Sequence, residues 1–290
     1  MEDYYAYLDD FETITILIPK SMTKDVIAHF TVEGNDETIA LNIKEHEERD
    51  HEHKYILTFD AYILLNKRYY VHANNTFKTE LYTGKIVRTK QFDSVYFYDG
   101  NDLGATHTPT KTQFKVWSPV AKSIDVILFK DAKETTHQLT YTNRGIWTVT
   151  IEGDLDQTEY IYDVFVNGKK RRVIDPYAKA STANKARSVV INKDHLIKMN
   201  HPSPAFSSHA EDAIIYEMSI RDLTSDPSLN IDDPITFKAA HRQHIKTPKN
   251  HPAGFDYLKS LGVTHVQIMP MYDFEGVDKT KPFESYNWGY

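Results

Sequence analysis

The densest set of side chains with metal-capable chemistry is the run Glu45-His46-Glu47-Glu48-Arg49-Asp50-His51-Glu52-His53. Imidazoles and carboxylates together are donor types of transition-metal sites. Nothing in the spacing fixes a coordination geometry, so a solvated loop between strands is expected and no metal ligand is assigned. His241 and His244 suit one helical face, with His251 nearby. No third ligand is placed by pattern there, and a mobile or substrate-facing loop is expected instead. Glu217, Asp222 and Asp273 lie near the ends of apolar runs, where carboxylates can act as acid, base or nucleophile. The pattern sets no two of them face to face.

A second kind of chemistry is aromatic. The chain has 19 Tyr, 14 Phe and 3 Trp. Their ring faces stack on the apolar C–H faces of sugars, but Tyr and Phe are also favoured strand residues. Trp117 and Trp147 each alternate with apolar strand neighbours, which favours core or interface positions over exposed platforms. There is no cysteine, so disulfides and thiol catalysis are excluded. A net charge of −7 argues against nucleic acid or an anionic membrane as partner, since both require a basic face. The first residues, Met1-Glu2-Asp3-Tyr4-Tyr5, do not read as a secretory signal, and no apolar run reaches the length of a membrane span. A cytoplasmic location is the expectation.

The elements that must position these residues are mostly strands. Thr13–Pro19, Tyr55–Phe59 and Tyr69–Ala73 are β-rich runs bounded by turn or charged segments, and no helical period of useful length occurs before about residue 100. A β-sandwich over residues 1–100 is predicted. Phe114–Pro119, Ile124–Phe129, Gly145–Ile151 and Tyr160–Val166 alternate with period two, the last turning at Asn167-Gly168. They predict a second sandwich over 101–208. Ala213–Asp222 begins as an apolar run suited to a buried parallel strand. Phe255, Leu258 and Leu261 form a helical stripe with Gly262 as its cap, followed by a strand at Val263–Pro270. Helix followed by parallel strand is the repeat of a (β/α)8 barrel.

Four sets of residues resemble one family. Tyr286-Asn287-Trp288-Gly289-Tyr290 is similar to the YNWGYDP signature of type I pullulanases, debranching enzymes of the α-amylase superfamily. F-x-V-W-S-P from Phe114, the V-x-L-F, G-x-W-x-V and Y-x-Y-x-V strands, and Val173-Ile174-Asp175-Pro176-Tyr177-Ala178 resemble the family 48 carbohydrate-binding module. Tyr216-Glu217 through Ile220-Arg221-Asp222 looks like the first barrel strand of that family. The string from Leu261 through Pro270 to Phe274 looks like the second. The resemblance covers nearly the whole chain. It implies a multidomain architecture: two N-terminal β-sandwich modules, then the beginning, about two strands, of a (β/α)8 TIM barrel in residues 209–290. A whole barrel takes about 250 residues, so the front part of a longer enzyme is expected.

The resemblance also implies an activity: retaining hydrolysis of α-1,6 branch linkages in pullulan, amylopectin, glycogen or limit dextrins. That reaction needs two carboxyl groups, which the family carries after its fourth and fifth barrel strands. No segment matching either occurs here. No catalytic residue is assigned, and this chain alone is expected to be inactive; the alternative is a non-catalytic α-glucan-binding module. Tyr290 is implied to stack on the sugar beside the cleavage point, with Asn287 and Trp288 shaping the same loop. No cofactor and no metal are expected.

Overall fold

The computed structural model describes residues 4–74, 76–196, 209–269, 271, 276–281 and 284. They belong to two compact units, 1–182 with 186–196, and 183–185 with 197–290. Among the described residues no helix is long and apolar enough to cross a membrane.

The first module is built from β1 (Tyr5–Leu8), β2 (Thr13–Pro19), β3 (Phe30–Gly34), β4 (Glu37–Glu48), β5 (Glu52–Thr58), β6 (Tyr70–Ala73) and β7 (Phe77–Thr83). Alternation drives it: Ile14, Ile16 and Ile18 of β2 are fully buried, while Thr13, Thr15 and Leu17 point outward. Each such isoleucine contributes about 1.5–3 kcal/mol through burial. The strands run β1-β2-β5-β4-β3-β6-β7, and β7 returns to pair in parallel with β1. The two layers expected of a sandwich are thus joined at both edges, which removes the open edges a free sheet would expose. The Glu45–His53 run is not a loop. It forms the end of β4, a short turn and the start of β5.

A short helix, α1 (Lys90–Tyr96), follows β7, where no helical period was read. The Thr89 hydroxyl caps it by accepting from the Phe92 amide, and Phe92 and Tyr96 enter the first core. Seven residues are too few to show a period, but Thr89 is a typical N-cap.

The second module is a two-sheet sandwich. It contains β8 (Gly104–Thr108), β9 (Lys111–Trp117), β10 (Ser123–Lys130), β11 (Lys133–Gln138), β12 (Thr140–Tyr141), β13 (Ile146–Glu152), β14 (Glu159–Val166), β15 (Lys169–Val173) and β16 (Ser188–Val189). One sheet runs β11-β10-β14-β15, with β16 also on β14; the other runs β12-β13-β9-β8. Phe114, Ile124, Val126, Tyr160 and Tyr162 fill the space between them. The β14–β15 turn has Asn167 at φ 48° and Gly168 at φ 70°, the left-handed pair that an Asn-Gly hairpin turn requires.

The second unit contains β17 (Ile215–Met218), α2 (Ile220–Thr224), α3 (Phe237–Ala240), α4 (Gly254–Ser260) and β18 (His265–Ile268). β17 and β18 pair in parallel, Ile215 with His265 through Met218 with Ile268. The expected stripe on α4 is partly realised: Leu258 is buried, while Phe255 and Leu261 stay largely exposed. Gly262, at φ 70°, ends the helix as expected. The buried character expected of the first parallel strand is not found. Ile214 and Ile215 are 56% and 63% exposed, because among the described residues β17 has one strand neighbour and no layer over either face.

Candidate functional site

The two tryptophans are structural. Trp147 is buried; its indole Nε1 donates to the Ser118 carbonyl at 2.9 Å, and its ring meets Tyr141 edge-on. Trp117 joins the two β-modules. Its Nε1 donates to the Tyr96 carbonyl at 2.9 Å, its ring meets Phe92 of α1 edge-on, and it packs against the first core. Both rings are engaged by core residues, in keeping with the strand alternation.

Around Trp117 the joint is polar as well as apolar. The Lys122 ammonium donates to the Leu65 carbonyl at 2.6 Å, and the Arg68 guanidinium lies 4.1 Å over the Phe165 ring. The Asn167 side chain accepts from the Thr83 amide at 2.9 Å. Burial pushes the Lys122 ammonium down to about 8, with Glu80 opposing the shift and Arg68 adding to it.

The motif at Val173–Ala178 is a clasp. Asp175 is buried; its carboxylate accepts from the Tyr160 hydroxyl at 2.7 Å and the Tyr177 amide at 2.8 Å. Its own amide donates to the Ser188 hydroxyl at 3.0 Å. Burial raises the Asp175 carboxyl above the usual range and raises the Tyr160 phenol as well. These bonds tie the sandwich to the segment leaving it; they form no reactive site.

Two surfaces remain as candidates for ligand. A cleft of about 650 Å³ opens beside the β10–β11 hairpin. Phe129 is the aromatic residue lining it, and the Arg187 guanidinium, paired with Glu159 at 2.7 Å, sits 3.6 Å over that ring. The ring is therefore covered, and most of the remaining lining is charged. The other surface is a row of tyrosines on the outside of the first module. Alternation on β1 turns Ala6 and Leu8 inward and Tyr5 and Tyr7 outward. Tyr5 and Tyr7 lie 6.3 Å apart with planes 16° from parallel, and Tyr82 of β7 continues the row 6.3 Å from Tyr7. Tyr5 is 46% exposed. The row ends at the joint, where a side chain on Gly168 would come within 3.3 Å of the Tyr82 ring. The Tyr7 and Tyr82 rings are tilted 46° to each other and both residues are half-buried, so Tyr5 presents the most open ring, and such rings suit apolar sugar faces better than charged ligands. The sequence reading missed this row, although the alternation Tyr5-Ala6-Tyr7-Leu8 carried the signal.

Tyr290, Trp288 and Asn287, the expected sugar-contacting residues, lie outside the described residues, as does Asp273. Glu217 is exposed on β17. Asp222 is exposed in the first turn of α2, where its amide donates to the Ser219 hydroxyl. His241, His244 and His251 are all exposed on the long connection before α4. Among the described residues no three His, Asp or Glu side chains converge as a metal site.

Comparison with known proteins gives these modules a lineage. Residues 4–88 match the pullulanase N1-terminal domain, and residues 102–178 match carbohydrate-binding module 48, the isoamylase N-terminal domain. A pullulanase of Bacillus subtilis strain 168 is 36% identical over 99% of this chain, which spans 40% of that relative's length. Pullulanase A of Streptococcus pneumoniae strain D39 is 31% identical over 68% of the chain and 18% of its own. The pullulanase of Anoxybacillus sp. LM18-11, solved with maltotriose, superimposes with a TM-score of 0.93 at 37% identity, covering 100% of this chain and 42% of that one. Type I pullulanase of B. subtilis, solved with maltose, gives 0.92 at 34% identity, covering 100% and 40%. With both N-terminal modules in order and similarity along nearly its whole length, the chain is strongly homologous to type I pullulanases, whose solved members it matches over about two fifths of their length.

Proposed function

We propose that this chain serves the hydrolysis of α-1,6 branch linkages in pullulan, amylopectin, glycogen or limit dextrins by holding the glucan, and that these 290 residues do not cleave it alone. The observation that carries the binding half is the outward-facing row Tyr5, Tyr7 and Tyr82, of which Tyr5 is exposed and the other two half-buried. Relatives solved with maltotriose and maltose support the choice of an α-glucan. In this reading β17, α4 and β18 are the opening of a (β/α)8 barrel. Their exposed apolar faces are those that further strands and helices of such a barrel cover.

The inactive half rests on chemistry. Retaining glycosidases place two carboxyl groups about 5–5.5 Å apart. Glu217 and Asp222 both face solvent on separate elements, and Asp222 sits in a helix's first turn. The test is release of maltotriose from pullulan by the purified chain, beside an equimolar complete pullulanase. Release at a rate comparable with the complete enzyme would refute the inactive half. Loss of glucan retention on pullulan-containing gels would refute the binding half.

A further inference from the structure

The hairpin of β4 and β5 brings together two imidazoles that the sequence separates by seven positions. In its register His46 lies opposite Tyr55 and Glu48 opposite His53, so all four side chains share one face of the hairpin. His46 Nε2 and His53 Nδ1 are 3.1 Å apart. Two bonds of about 2.0–2.1 Å from nitrogen to one zinc-like ion put the nitrogens about 3.3 Å apart at a tetrahedral angle and about 2.9 Å apart at a right angle. The observed separation falls between these values.

Both rings are held before any ion arrives. His46 stacks on the Tyr55 ring, with centroids 4.5 Å apart and planes 17° from parallel. Tyr55 is itself buried, and its hydroxyl accepts from the Ile27 amide at 2.9 Å. His53 is 1% exposed. The open side is that of His46, which is exposed. Glu48 supplies a carboxylate on the same face, with its Oε1 2.7 Å from the Lys20 ammonium.

We propose that His46 and His53 are paired ligands for a late first-row divalent ion such as Ni2+, Cu2+ or Zn2+, with Glu48 adding negative charge and water filling the remaining positions. Imidazole pairs select these ions, whereas Ca2+ and Mg2+ require oxygen donors. Binding through Nε2 of His46 and Nδ1 of His53 places the His53 proton on Nε2. That nitrogen is buried without a hydrogen-bond partner. This opposes binding and weakens the affinity.

The test is calorimetric titration of the tag-free chain with Ni2+, with thermal unfolding as a second readout. The chain has 14 histidines, so variants must separate this site from background. His46→Gln and His53→Gln are each expected to remove one equivalent of Ni2+ binding and the Ni2+-dependent rise in melting temperature. His51→Gln, an exposed control in the same hairpin turn, keeps both, and Mg2+ produces neither. The proposal is overturned if the His46→Gln chain, folded by circular dichroism, still binds that equivalent. It is also overturned if the unaltered chain takes up no Ni2+ at millimolar concentration, which would leave the two imidazoles as a proton-sharing pair only.

Discussion

Lys122→Met tests the joint between the two β-modules. The Lys122 ammonium is pushed down to about 8 by burial, against about 10.4 in an unfolded chain. A lysine with a depressed value binds fewer protons folded than unfolded between those limits. Its charge therefore opposes folding most at and below about pH 8, and this opposition is relieved as pH rises toward about 10.4. Working the linkage between about pH 7.5 and about pH 9.5 gives a stability gain of about 2 kcal/mol from this group alone. The neutral amine keeps its bond to the Leu65 carbonyl throughout. Several buried tyrosines with raised values, Tyr4 and Tyr96 among them, act in the opposite direction near the top of the window. The useful quantity is thus the difference between Lys122→Met and the unaltered chain. Urea unfolding followed by tryptophan fluorescence suits it, because Trp117 sits at the joint. The stability difference between the two chains should shift by about 2 kcal/mol in favour of the unaltered chain across the window. A difference that stays flat would refute the claim that Lys122 is a desolvated cation in the folded state.

Trp117→Ala should cost about 3 kcal/mol of stability, since it empties a contact with Phe92 and removes the bond to the Tyr96 carbonyl. The same variant should leave glucan retention unchanged once the chain is folded, as read on pullulan-containing gels. Tyr160→Phe removes one donor from the buried Asp175 carboxylate and should cost about 1–3 kcal/mol in chemical denaturation. Tyr7→Ala, with its ring on the outer face of β1, should change stability by less than about 1 kcal/mol yet weaken retention of pullulan several-fold.

Strands with clean alternation were legible from the residues: β2 coincides with Thr13–Pro19, β10 and β14 enclose the runs expected for them, and β9 and β13 overlap most of theirs. The Asn167-Gly168 turn was readable because its backbone demands those two residue types. β15 was not, since Lys169-Lys170-Arg171-Arg172 carries no apolar alternation and all of its side chains are exposed. An edge strand needs only one hydrogen-bonding neighbour and no buried face, so its sequence is free to be charged. The Glu45–His53 run misled for a related reason. Its strand pairing is set by partners on β5, while the end of β4 is exposed. Tyr5 and Tyr7 were readable from the β1 alternation, but the place of Tyr82 in the row depended on the parallel return of β7 to β1, a long-range pairing that no local pattern reveals. Trp117 showed strand character in the sequence, but its role at the joint became visible only once α1 and the first core were in place.

The most direct measurement is to incubate the purified chain with monodisperse pullulan and follow the mixture over time by size-exclusion chromatography with light scattering. The account expects the chain to elute with the polymer and the polymer mass to stay constant. Separate elution would contradict glucan holding by these modules, and a falling polymer mass would contradict the absence of hydrolysis by these 290 residues.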